Sequence, residues 1–272
     1  MDSKRRTELA EYARAYTEEF SDQQGIPDFK KIAESENIAL IVDDYKGAFE
    51  GLTVCEDGMF YIHIDSNDPE SLNTPRKRFT IAHELGHALI SEHRLGLLTN
   101  ELEPHISEYL LGNQNNEIEL EADYFASCLL MPQANFVSAN NQFKDKFSFD
   151  IMGYLSDCFN VSLMATLLRY ADIGPKPVFF TFNKEGNVKW YKRGSKMPEW
   201  PLKFRVGSKV PEDTVVADVF KKGISHLKEI REVDPENWFY KNDDDYDTFK
   251  LYEQCVFLKS YNYVVSMLWF IK

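Results

Sequence analysis

The run Phe79–His93, FTIAHELGHALISEH, restricts the possible folds of this chain more than any other stretch. His83 and His87 are four residues apart, so on a helix their imidazoles lie one above the other and both can reach one metal ion. Glu84 sits about 100° round the same helix. From there it can reach a water held by that ion without being a ligand, which is the place of the general base in a metallohydrolase. The flanks predict the helix: Thr74 as its cap, Pro75 at its first position and Gly96, just past Arg94, as its stop. Phe79, Ala82, Leu89 and Ile90 supply an apolar side. The motif is therefore expected on a buried amphipathic helix.

Such a site needs a third protein ligand and an open position. His93 has the spacing of a metzincin ligand, but Ile90 stands where that pattern needs a glycine to turn the chain back. If the helix continues, His93 lies about 240° round and about 9 Å along from His87, out of reach. The other source is EIELEADYFASCLLM, Glu117 to Met131, a helix closed by Pro132 with Ile118, Ala122, Phe125, Ala126 and Leu129 as its buried stripe. Glu119 and Asp123, four apart beside that stripe, suit a metal ligand and a carboxylate that orients a ligand histidine. Ala122 and Ala126 are small enough for two helices to approach closely. Glu121, about 200° from Glu119, is the competing ligand, and Asn116 with Glu119 also reads as a capping box, which would give Glu119 a structural task. The spacing to Asp123 favours Glu119.

At 272 residues and 43% hydrophobic content the chain can bury a core of one large or two modest domains. A net charge of −13 argues against strong non-specific binding to nucleic acid or anionic membrane. The basic N-terminus has no apolar h-region and no later stretch reaches the length of a membrane span, so a cytoplasmic protein is expected. Cys55, Cys128, Cys158 and Cys255 form no CxxC pair, so they read as reduced thiols.

Arg5–Phe20 predicts a packing helix, followed by a short helix through Phe29, Ile32 and Ala33 and a strand from Ile38 to Val42. Residues 48–65 read as a hairpin turning at Glu56-Asp57-Gly58. Its second strand, Met59–Asp65, is expected to offer an edge to a substrate backbone.

These two long motifs in this order, RKRFTIAHELGHALI at Arg76–Ile90 and ELEADYFASCLLMP at Glu119–Pro132, resemble the ImmA/IrrE family of bacterial zinc metallopeptidases. IPDFKKIAESENIALIV, Ile26–Val42, is similar to the family's N-terminal helix and strand, and YLSDCFNVSLMATLLRY, Tyr154–Tyr170, to its trailing helical pair. The resemblance covers about the first 172 residues. It implies a zincin-like metallopeptidase domain over 1–172, including the helical pair near 147–170; the change of composition beyond reads as a smaller, mainly antiparallel α+β domain over 173–272, so that the fold class is α+β. It also implies one Zn²⁺ per chain on His83, His87 and Glu119, Glu84 as catalytic base, and Asp123 as partner of a ligand histidine. Many relatives have asparagine at the position of Asp123; aspartate is the more usual partner in gluzincin-type sites. The implied substrate is a regulatory protein, a helix-turn-helix repressor or antitoxin, whose cleavage switches on mobile-element, defence or stress genes.

A rival reading is a non-proteolytic regulator that binds a repressor or DNA. Against it stands Glu84, for which a binding module has no need. Tyr154–Tyr170 has the outline of a DNA-reading helix-turn-helix, but its second helix offers only Arg169 as a basic group, so a structural pair is expected and direct nucleic-acid binding is not. Beyond Asp172-Ile173-Gly174-Pro175 a hairpin about Glu185-Gly186-Asn187, a helix near Phe220–Ile230, an acidic loop at Asn242–Asp247 and strands near Tyr252–Leu258 and Tyr263–Ile271 are expected. The resemblance to IrrE-type relatives implies a sensor-like domain here; the alternative is a domain that recognises the substrate or a partner, or buttresses the peptidase. Tyr109 and Tyr124 are candidates to stabilise an oxyanion, and His63, His105 and His226 carry no assigned role.

Overall fold

The computed structural model describes the chain except residues 24, 104, 108–115, 145, 224–226, 228, 241–249 and 272, and gives the backbone alone for residues 69 and 105–107. Two compact units emerge: Met1–Phe136 with Ser156–Ser162, and Val137–Leu155 with Leu163–Lys272. The first division falls at Phe136, so most of the helical pair expected near 147–170 groups with the C-terminal residues. Tyr109, His226 and the acidic loop lie outside the described residues.

In the first unit, α1 (Ser3–Phe20) begins where the Asp2 carboxylate accepts the Arg5 N–H, and it buries Leu9, Ala13 and Thr17. α2 (Phe29–Ser35), capped by Asp28, buries Ile32 and Ala33 and leads into β1 (Ile38–Asp43). β2 (Gly51–Glu56) and β3 (Met59–Asp65) form the expected hairpin, whose two turn residues Asp57 and Gly58 have φ of 49° and 79°. Two left-handed residues match the twist of the flanking strands, and glycine takes the second without steric cost. Along β3, Phe60, Ile62 and Ile64 are buried and alternate with the half-buried Tyr61 and His63.

α3 (Pro75–Leu89) starts where expected, with the Thr74 side chain accepting from Lys77 N and Pro75 in its first turn. Its end differs. The helix stops at Leu89, Ile90 turns extended (φ −62°, ψ 120°), and α4 (Ser91–Leu98) begins at once, so Gly96 lies inside a second helix. Arg94 makes the bend tenable: its Nη1 donates to the Ala88 carbonyl at 2.7 Å and its guanidinium lies 4.3 Å over the Phe60 ring. An orphan carbonyl at the end of α3 is thereby satisfied.

β4 (His105–Ser107) pairs with β2, completing a sheet of order β1-β3-β2-β4. β3 lies between parallel β1 and antiparallel β2, with both its edges paired. The expectation that Met59–Asp65 takes a substrate as an added strand is therefore overturned. α5 (Glu117–Leu130) packs along α3, and a Cβ built on Gly86 would stand 3.2 Å from Ala122 Cα. The small residues thus permit the close approach expected of them. α6 (Gln133–Asn141) and α7 (Phe149–Phe159) both run across the division between the units.

In the second unit, α8 (Leu163–Ile173) precedes β5 (Val178–Lys184) and β6 (Asn187–Arg193), joined at Glu185-Gly186. α9 spans Val215–Lys222, earlier than the expected helix at 220–230, and is followed by β7 (Arg231–Val233). Its start is held from afar: the buried Glu253 carboxylate accepts the N–H groups of Val215 and Val216 at 2.8 and 3.1 Å. β8 (Lys250–Leu258) and β9 (Tyr263–Ile271) complete a sheet of order β6-β5-β9-β8-β7, antiparallel throughout. Phe179, Trp238, Phe239, Leu268 and α9 form one core beside it. The architecture is α+β, and among the described residues no single helix is long and apolar enough to cross a membrane.

Candidate metal centre

α3 and α5 bring three donors together. His83 Nε2 and His87 Nε2 are 3.1 Å apart, and the Glu119 carboxylate reaches both, Oε2 at 3.3 Å from His83 and Oε1 at 3.3 Å from His87. Four-residue spacing places the imidazoles on one side of α3. The close approach at Gly86 and Ala122 brings Glu119 up to them. Donors bound tetrahedrally at about 2.1 Å from one ion stand about 3.4 Å from each other. The His83–His87 separation is close to that value, and one donor atom from each of the three residues lies within 4.8 Å of the others. Two imidazoles and a carboxylate suit a borderline transition ion far better than calcium or magnesium, which take oxygen donors.

Asp123, one turn further along α5, stands 2.9 Å from His83 Nδ1. The Nδ1–H donates to the carboxylate, which directs Nε2 at the cluster. Burial alone depresses the His83 pKa, and the Asp123 and Glu119 carboxylates overcome it and raise the imidazole to about 10. The pocket is thus built to hold positive charge.

Glu84 is fully buried. Its Oε2 accepts a hydrogen bond from Thr53 Oγ1 at 2.6 Å, a partner on β2 that the local spacing around Glu84 does not reveal. Gly51, on the same strand, clears the space beside it. A Cβ there would stand 2.7 Å from Glu84 Oε1.

The chain's other acidic candidate is engaged elsewhere. Glu121 is held by Arg5 of α1 and lies 3.2 Å from His93 Nε2. His93 is nevertheless close to the centre: because α3 stops at Ile90, its ring lies 5.3 Å from that of His87. The premise that a continuing helix carries it out of reach fails, although its Nε2 faces Glu121 and it is not one of the three clustered donors. Burial, stronger than the pull of Glu121, lowers the His93 pKa. Tyr124 meets Arg6 of α1, whose guanidinium lies 4.9 Å over its ring. It sits about 140° round α5 from Glu119. His63 accepts or donates a 2.6 Å hydrogen bond with Tyr45.

Residues 55–170 match the peptidase family M78, described as the IrrE N-terminal-like domain. The match takes in α3, α5 and every clustered donor. This stretch belongs to the ImmA/IrrE family. Membership makes residues 55–170 a zincin-like peptidase domain, and a metallopeptidase family implies a metal. No curated protein sequence matches the chain. Among solved structures, a Mycobacterium tuberculosis transcriptional regulator is similar, with a TM-score of 0.53 over 98% of this chain and 88% of that one, at 14% identity. That likeness is one of fold. Residues 1–54 and 171–272, including α1 and the antiparallel sheet of the second unit, lie outside the family match.

Proposed function

We propose that this chain is a cytoplasmic, zinc-dependent endopeptidase of gluzincin type that cleaves a regulatory protein. The reading assigns His83, His87 and Glu119 as ligands of one zinc ion, Glu84 as general base and Asp123 as the partner that fixes His83. The observation that carries it is the gathering of three donors within 4.8 Å of one another, with a buried glutamate next in sequence to the first of them. Bound there, zinc would acidify a water and polarise the scissile carbonyl. Glu84 takes the proton of the attacking water and delivers it to the leaving amine. Thr53 holds the Glu84 carboxylate in one orientation meanwhile, and Asp123 keeps the Nδ1 proton of His83.

The family match supports the substrate class we assign: a helix-turn-helix repressor or antitoxin whose loss switches on mobile-element, defence or stress genes. A comparison of new protein N-termini in host cells expressing the wild type or Glu84→Gln tests this reading. Termini present only with wild type establish proteolysis and identify the substrate. Their absence, with zinc still bound by the purified protein, would instead support the non-proteolytic regulator.

A further inference from the structure

Helix α1 lies outside the family match, yet one of its side chains reaches the surroundings of the metal cluster. Arg5 Nε and Nη2 donate to Glu121 Oε1 and Oε2 at 2.8 and 2.6 Å. The same guanidinium donates to Glu92 on α4 at 3.1 and 3.0 Å. One fork therefore ties α1 to both helices that follow α3. Glu121 in turn stands 3.2 Å from His93 Nε2, and the buried His93 ring leans at 34° against the ring of His87.

Two geometrical effects follow. α5 carries Glu119 and Glu121 about 200° apart, so fixing one fixes the rotation of the helix that presents the other. A rotation of only about 10° moves a carboxylate about 6 Å from the helix axis by about 1 Å, half the length of a zinc–oxygen bond. A bidentate fork resists such rotation where a single hydrogen bond would not. The pair is also shielded: the Arg5 and Glu121 side chains are 22% and 16% exposed, against 66% for Glu92. The second effect is support of His87 by His93, whose own orientation depends on Glu121.

We propose that Arg5 is a positioning residue of the metal centre, acting through Glu121 on Glu119 and through His93 on His87, so that α1 is part of the metal-binding apparatus. The inference rests on His83, His87 and Glu119 being the ligands.

The test uses the full chain and two readouts independent of turnover: Zn²⁺ affinity by competition with a chromophoric chelator, and the visible absorption of the Co²⁺-loaded protein. Arg5→Met is expected to bind Zn²⁺ about tenfold more weakly and to change the Co²⁺ bands. Arg5→Lys, a cation without the planar fork, recovers part of the affinity. Arg14→Met, the same change at an exposed position of α1, leaves both readouts at wild type. Glu121→Gln added to Arg5→Met weakens binding no further. A folded Arg5→Met with wild-type affinity and spectrum overturns the proposal, as does an equal loss in Arg14→Met. If Arg5→Met does not fold, Arg5→Lys and Glu121→Gln decide, and wild-type affinity in both overturns it. Failure of the wild type itself to bind either ion would instead refute the metal site on which the proposal rests.

Discussion

Thr53 Oγ1 stands 2.6 Å from Glu84 Oε2, both side chains being fully buried. The candidate base is thus aimed by β2, a strand that lies 31 residues before it in the chain. Thr53→Val keeps the shape and removes the hydroxyl. A hydrogen bond to a charged group is worth about 1.5 kcal/mol or more, so kcat should fall about tenfold. Zinc content, measured in the same sample, should not change. An unaltered kcat would mean that Glu84 works without this orientation.

Gly51 makes a steric prediction about the same carboxylate. The methyl group of Gly51→Ala would stand 2.7 Å from both Glu84 Oε1 and Thr80 Cγ2, so both side chains or the strand itself must shift. A displacement of about 1 Å in a reacting group costs on the order of a hundredfold in rate. We expect that loss in single-turnover cleavage with metal affinity retained. A loss of metal affinity instead would show that the strain is passed to α3.

Asp123 should act on affinity. Asp123→Ala leaves His83 Nδ1 without its acceptor, and Zn²⁺ binding should weaken by about 10- to 100-fold in chelator competition. Asp123→Asn keeps a carbonyl oxygen for that N–H and should lie between the two. Equal affinities for wild type and alanine variant would detach Asp123 from the site.

How much of this was legible beforehand depends on the distance over which each feature is specified. His83, Glu84 and His87 share one turn of helix, and Glu119 and Asp123 another, so spacing alone singles them out as candidates. The hairpin at Asp57-Gly58 was equally local. The bend at Ile90 was missed because neither glycine nor proline marks it; Arg94 holds it through Ala88 and the ring of Phe60, 34 residues earlier in the numbering. The start of α9 was misplaced for a similar reason, since Glu253, 38 residues beyond Val215, receives its first N–H. Thr53 and β3 depend on strand order, which a single strand's composition does not encode.

Acid stability supplies a further prediction. The hydrogen bonds from Arg5 hold the Glu121 carboxyl below its ordinary value, and burial opposes them. A carboxyl whose folded pKa is depressed contributes stability above its unfolded pKa of about 4.3 and loses it as pH falls through the folded value. The difference in Tm between wild type and Glu121→Gln should therefore be constant from neutrality down to about pH 5 and shrink below about pH 4. A difference independent of pH would mean that the Glu121 carboxylate and the Arg5 cation contribute shape rather than charge.

Residues 156–162 return to the first unit, where Phe159 stacks on Phe136 and Asn160 Nδ2 donates to the Asn73 carbonyl at 2.7 Å. A ribosome adding about 5–20 residues per second therefore releases part of the second unit, 137–155, before the last piece of the first. The peptidase fold cannot close as a finished module while its successor waits. For at least the second or so of synthesis that this intervening stretch occupies, the nascent first unit still lacks Phe159 and Asn160.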